Sequence, residues 1–330
     1  MLRFVGRRLL YMVPTLFLIS VVSFAIIQLP PGDFLTTYVA NLQAQGEFVD
    51  RGQLAALEAR YGLNEPIYVQ YWKWISGIIF HLDFGRSFEW NLPVSTLLAQ
   101  TLPFTVVLSL LTIVFIWVVS VPIGVYSAVR QYSVGDYVAT TLGFLGLAIP
   151  NFLLALVLMW IAFSVFGHSP GGLFSPEFRD AAWSLPRVWD LLTHLWIPVV
   201  VIGTAGTAGL IRILRANLLD ELRKPYVVAA RARGVPERRL LIRYPLRVAM
   251  NPLFSTVGWI LPSLISADVI VSSVLSLQTT GPLLLGALLS QDMYLAGSII
   301  MLGAVLTVVG TLLSDLALAW LDPRVRLQYR

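Results

Sequence analysis

The chain contains no cysteine, and of its 330 residues only two are lysine, three are histidine and 12% are charged. Without cysteine there is neither a disulfide framework nor a thiolate metal site. A phosphate-cradling P-loop ends in Gly-Lys-Ser/Thr, and here Lys73 follows Trp72 while Lys224 follows Arg223, so ATP is not bound that way. His81, His168 and His194 are scattered with no i, i+4 pairing, which argues against a metal hydrolase. Neither a low-complexity tract nor a solenoid-length repeat is found. No catalytic residue, cofactor or metal is expected.

What the chain has in quantity is apolar sequence. With 57% hydrophobic residues and a mean hydropathy of +0.77, there is too little polar material to coat a soluble globule of this size. The chain belongs in a bilayer. Six apolar runs, near 9–29, 102–129, 138–166, 195–218, 251–275 and 295–320, approach or exceed the roughly 20 residues that cross a hydrocarbon core. The expected fold is all-α with six transmembrane helices. The first run ends in "QLPPGD" with no small-x-small cleavage pattern, so it reads as a retained helix and not a signal peptide.

Charge orients these spans. Of the 23 Lys and Arg residues, 17 fall on one side: Arg3, Arg7 and Arg8, then Arg130, then ten from Arg212 to Arg247, then Arg324, Arg326 and Arg330. The remaining six share the opposite loops with eleven carboxylates. Basic residues favour the cytoplasm, which places both termini and the 219–250 loop inside. The sequence pI of about 9.6 is thus a topology signal, and no nucleic-acid partner is needed to explain it. The expected organisation is an N-terminus and first span over 1–29, an extracytoplasmic subdomain over 30–101, a five-span core over 102–320 and a cytoplasmic tail over 321–330. Within the subdomain, "YGLNEPIYVQYWKWISGIIF" predicts an interfacial helix with Tyr68, Tyr71, Trp72 and Trp74 at headgroup level. The 167–194 loop, rich in Gly and Pro, is expected to be irregular. "SLQTTGPLLLGALLSQDMY" is too short for another crossing pair and is expected to dip into or lie on the outer surface.

The segment "PYVVAARARGVPERRLLIRYPLRVAMNP", residues 225–252, carries six arginines between two apolar runs. Pro225 at a helix start and Gly234 after its end bracket a short helix of about 13 Å, and Pro236 begins a second helix with Glu237 near its N-terminal dipole. Ala229, Ala230 and Ala232 allow close approach of another surface, while Tyr226, Arg231 and Arg233 supply an aromatic anchor and directional donors. A bare run of arginines would only hold the loop inside and touch anionic membrane lipid, but lipid attraction requires no Ala pair and no Gly hinge at set spacing.

"AARARG" followed by "PERRLLIRYPLRVAMNP" resembles the cytoplasmic EAA loop of ABC-importer permeases in the oligopeptide, dipeptide and nickel branch. "RRLLYMVPTLFLISVVSFAIIQLPPGD", "YGLNEPIYVQYWKW", "HLDFGRSF", "LAIPNFLLAL" and "LDPRVR" are similar, in order, to that branch's first permease. The resemblance implies a type I importer permease in a bacterial or archaeal inner membrane. Its implied partners are a second permease, two ATP-binding subunits and an extracytoplasmic binding protein that delivers an oligopeptide or oligosaccharide class of solute. It also implies that Ala229, Ala230 and Gly234 match the Ala-Ala and Gly of a pattern that docks into an ATPase cleft. Val228 stands where the general pattern has Glu.

The run over 251–275 has the most polar centre. At 100° per residue Ser263, Ser266 and Ser273 share one face, while Asp268 and Ser272 lie on another, so one face is a candidate solute path. Asp268 is the strongest candidate, because a lone carboxylate within a span is costly without a partner or water. Pro122, Pro150 and Pro262 sit inside expected spans and favour kinks, read equally as static shape or as hinges. The rival readings are an ion-coupled secondary carrier and a membrane-embedded enzyme. The first needs more buried charge than this chain shows, and the second needs a nucleophile and base that are not visible.

Overall fold

A computed structural model describes residues 2–28, 52, 65–87, 89–167, 171–254 and 269–321. Among them the regular structure is helical, apart from one antiparallel bridge between Arg86 and Pro93. The helices are α1 (Leu2–Gln28), α2 (Ile67–His81), α3 (Val94–Val129), α4 (Val134–Ala148), α5 (Asn151–Phe166) and α6 (Leu185–Leu222). They continue with α7 (Pro225–Ala232), α8 (Glu237–Arg243), α9 (Pro245–Ala249), α10 (Thr280–Leu289) and α11 (Met293–Leu321).

Four of these are long and apolar enough to cross a membrane: α1 over Gly6–Ala25, α3, α6, and α11 over Met293–Leu318. The single span expected over 138–166 is instead a pair, α4 and α5, bent by 104° and counting as a fifth crossing if taken together. Pro150 has no N–H and pushes Ile149 into extended backbone (ψ 123°), so α4 stops there and α5 starts anew. Most of the run over 251–275 lies outside the described residues. The 167–194 segment is irregular only in part, because α6 begins at Leu185, with the Ser184 side chain capping the Arg187 N–H.

The chain divides into two compact units. One comprises residues 7–104 and 279–305. Its core gathers Phe24 of α1, Trp74 and Ile75 of α2, Val94, Leu97 and Leu98 of α3, and Tyr294, Leu295 and Ile299 of α11. The aromatic set of α2 is split. Tyr68 and Trp72 are exposed, but Trp74 is buried with its ring 5.7 Å from that of Phe24, and Tyr71 meets Ser20 of α1 through a 2.8 Å hydrogen bond. Tyr71 and Trp74 thus bind α2 to α1. The buried Asp292 caps α11 by accepting from the Leu295 N–H. It also accepts from the Ser87 hydroxyl at 2.5 Å and from the Glu89 N–H at 3.3 Å, which ties Ser87 and Glu89 to that helix start. Gly85 is required there: its φ is +81°, and a Cβ would lie 2.5 Å from the Tyr294 ring.

The other unit comprises residues 1–6, 105–278 and 306–330, and α6 is its axis. Small residues let neighbouring helices approach α6 closely: Gly143 faces Ala208, Gly146 faces Thr204, and Gly203 and Gly206 receive the side chains of Phe115 and Ile116. Near the end of α6, Arg215 forms an ion pair at 2.8 Å with the buried Asp136 of α4.

Replacing Asp292 by Ala is expected to cost about 1–3 kcal/mol, the usual penalty for stranding buried hydrogen-bonding partners. Faster proteolysis of the 82–93 segment in the purified variant is the measurement that checks it.

Candidate docking elbow

The expected helix, glycine and second helix are all present, and each bend has a local cause. Pro225 holds Lys224 in extended backbone (ψ 145°), which ends the run of α6 and opens α7 with proline at its first turn. At the other end Gly234 takes a φ of +76°. Its N–H donates to the Arg231 carbonyl at 3.0 Å and the Val235 N–H donates to the Ala230 carbonyl at 3.4 Å, the paired bonds of a Schellman cap. A Cβ on Gly234 would touch nothing within 4 Å, so it is the left-handed backbone that favours glycine, not lack of space. Pro236 then occupies the cap position of α8 instead of its first turn, and its carbonyl accepts from the Leu240 N–H at 2.8 Å.

The elbow has a core of its own. Val227 and Ala230 of α7 and Leu240 of α8 are buried together, with Val235 packed against them. Arg231 Nε and Nη2 donate to the two oxygens of Glu237 at 2.5 and 3.2 Å, strapping α7 to the start of α8. The Tyr226 hydroxyl donates to Glu221, bracing α7 against the last turn of α6. Burial, followed by the nearby Glu221 carboxylate, raises the Tyr226 phenol well above its ordinary value. The hydrogen bonds from Arg231 hold Glu237 below the usual carboxylate range.

The sequence-predicted residues therefore divide. Ala229, Ala232, Arg233 and Gly234 are exposed, together with Val228. Ala230 points into the elbow's core, and the polar groups of Tyr226 and Arg231 are engaged with Glu221 and Glu237. Of the path candidates, Ser263, Ser266 and Asp268 lie outside the described residues. Ser272 is fully buried and Ser273 donates to the Val269 carbonyl at 2.6 Å. Sequence reasoning missed the Asp136–Arg215 pair. Ser133 three residues before Asp136 is a helix-start signal that would have placed the acid in a first turn, but nothing in the sequence names its partner.

A chain whose described residues are almost wholly helical, with four or five apolar segments long enough to cross a membrane, has the build of a multi-pass membrane protein. The family described as "Binding-protein-dependent transport system inner membrane component" matches residues 120–327, and its N-terminal counterpart matches residues 1–109. The chain is 36% identical over 329 residues to the "Oligopeptide transport system permease protein AppB" of Bacillus subtilis, covering 98% of this chain and 99% of that protein. It is 29% identical to the OppB oligopeptide permease of Haemophilus influenzae, with 99% and 100% covered, and 29% identical to the NikB nickel import permease of Staphylococcus aureus, with 97% and 91% covered. The chain belongs to this family: it is a multi-pass inner-membrane permease of the ABC-importer class.

A carboxylate held low in the folded state stabilises at every pH above its unfolded titration, and the contribution is lost as pH falls through the depressed folded value. The Arg231–Glu237 strap is therefore expected to stay closed from neutral pH through the ordinary carboxylate range and to open only below it. Hydrogen exchange at the Gly234 and Val235 amides, corrected for intrinsic rates, should accelerate only in that more acid window, and Glu237→Gln should show the faster exchange already at neutral pH.

Proposed function

We propose that this chain and a second, related permease together form the membrane path of an ATP-driven importer. Two ATP-binding subunits would drive it, and an extracytoplasmic binding protein would deliver the solute. Residues 225–243 are the element that docks on an ATP-binding subunit. The observation that carries this reading is the elbow itself: a pre-packed pair of short helices whose buried side chains face inward, leaving Ala229, Ala232, Arg233 and Gly234 on the outside. A surface ordered before contact loses little conformational entropy on docking, and small side chains at its tip admit close approach. The solute is of the oligopeptide class. Two of the relatives named above are oligopeptide permeases and one is a nickel permease, which favours peptide over the oligosaccharide alternative. The path follows the fifth apolar run past Ser263, Ser266, Asp268, Ser272 and Ser273. Residues 30–101 lie outside the membrane, and both termini and the elbow lie in the cytoplasm, next to lipid headgroups that attract its arginines.

Gly234→Pro removes the N–H that closes the cap and forbids a φ of +76°. The variant should insert normally but lose co-purification of the ATP-binding subunits. Wild-type recovery of those subunits, with unchanged peptide-stimulated ATP hydrolysis, would falsify the docking assignment.

Orientation is tested separately. Because the chain has no cysteine, single thiols placed at Asp180 and Arg238 report without background. An impermeant thiol reagent applied to intact cells should label position 180 and spare position 238, and the opposite pattern would reverse the topology.

A further inference from the structure

Asp136 sits in the first turn of α4 and is 2% exposed. Its two carboxylate oxygens accept from Nε and Nη2 of Arg215 on α6 at 3.1 and 2.8 Å, a two-point fork that fixes orientation as well as distance. One of those oxygens also accepts from the Tyr132 N–H at 2.9 Å, and the Asp136 N–H donates to Ser133 Oγ at 3.2 Å. A single carboxylate thus joins the turn after α3, the start of α4 and the distal part of α6.

The elbow is braced to α6 through the helices on either side of α8. Arg215 lies ten residues before Pro225, about 15 Å along a helix axis. From there Tyr226 bonds back to Glu221, and α9, with Pro245 and Ala249 buried, packs against α6. A displacement of the elbow is therefore a displacement of the end of α6. Elsewhere α4 meets α6 through small residues, Gly143 against Ala208 and Gly146 against Thr204. Contacts of that kind allow close approach but have little directional grip. Among the contacts described between α4 and α6, the directional one is the ion pair.

We propose that Asp136 and Arg215 are a positioning pair that carries movement of the elbow into α4 and so into the bent α4–α5 segment. The inference rests on the elbow being the docking element for the ATP-binding subunits. The pair acts through the helices it joins and touches neither nucleotide nor solute.

The test uses the importer assembled with its ATP-binding subunits and reconstituted in bilayers, with ATP plus vanadate as the ligand, so that no solute need be identified. Single thiols are introduced by Ile242→Cys on α8 and Leu142→Cys on α4, both positions being exposed. With the pair intact, ATP and vanadate should change the labelling rate at both positions. With Asp136→Asn the response at position 242 should remain, while that at position 142 should fall by at least about fivefold, the low end of typical site-to-site coupling. Arg215→Gln should repeat that loss. Asp136→Glu, which keeps the charge within reach of the guanidinium, should restore the response. An undiminished response at position 142 in Asp136→Asn, or no restoration by Asp136→Glu, overturns the proposal. Loss of membrane abundance or of the ATP-binding subunits in both Asp136→Asn and Arg215→Gln also overturns it, by reducing the pair to an assembly contact. No response at position 242 with the pair intact removes the docking reading, and this inference with it.

Discussion

A polar group buried away from water is costly unless the protein itself supplies its hydrogen-bond partners. That constraint explains where this chain puts its buried acids. Asp136 lies in the first turn of α4 and Asp292 at the cap of α11, places where helical N–H groups lack intrahelical acceptors. Each acid then has capacity left for a partner on another element: Arg215 for the first, Ser87 for the second. Each carboxylate therefore ties backbone at or beside a helix start to a residue distant in the chain, which lets a chain with so few charges specify its packing.

The long helix α6 shows how this economy reaches the elbow. Glycines and alanines along its length bring other helices into contact, and its last turns carry Arg215 and Glu221. The elbow inherits its placement from those turns, and its own angle comes from four apolar side chains, one left-handed glycine and one exposed ion pair. An exposed pair contributes little energy by itself. Its value here is geometric, since it joins two helices whose buried contact is only a few residues wide.

Much of this was legible in the sequence, and the rest was hidden for identifiable reasons. Length and apolarity marked four of the six expected spans among the described residues, and Pro225, Gly234 and Pro236 marked the elbow through their effect on the backbone. Helix ends were less visible. α3 begins at Val94, well before the apolar run expected from 102, because Val94, Leu97 and Leu98 are buried in a core whose other members are distant in sequence. α6 likewise starts early, on a Ser184 cap inside a stretch that reads as polar loop. The elbow's inward and outward alanines could not be told apart without Leu240 to show which side was the core. The Asp136–Arg215 pair joins residues 79 apart, and no local pattern records such a contact.

Proline makes the limit of local reading plain. Pro14 and Pro198 lie within α1 and α6, which continue past them, whereas Pro150 separates two helices bent by 104°. The ring chemistry is the same in all three. What differs at the third is the backbone: Ile149 and Pro150 are both extended, with ψ 123° and 134°, while the Ile149 N–H still donates to the Leu145 carbonyl and the Pro150 carbonyl accepts from the Leu153 and Leu154 N–H groups. The extended dihedrals of Ile149 and Pro150 stand between two intact helices, so a displacement entering at Asp136 reaches the whole of α4 before it meets a change of backbone direction.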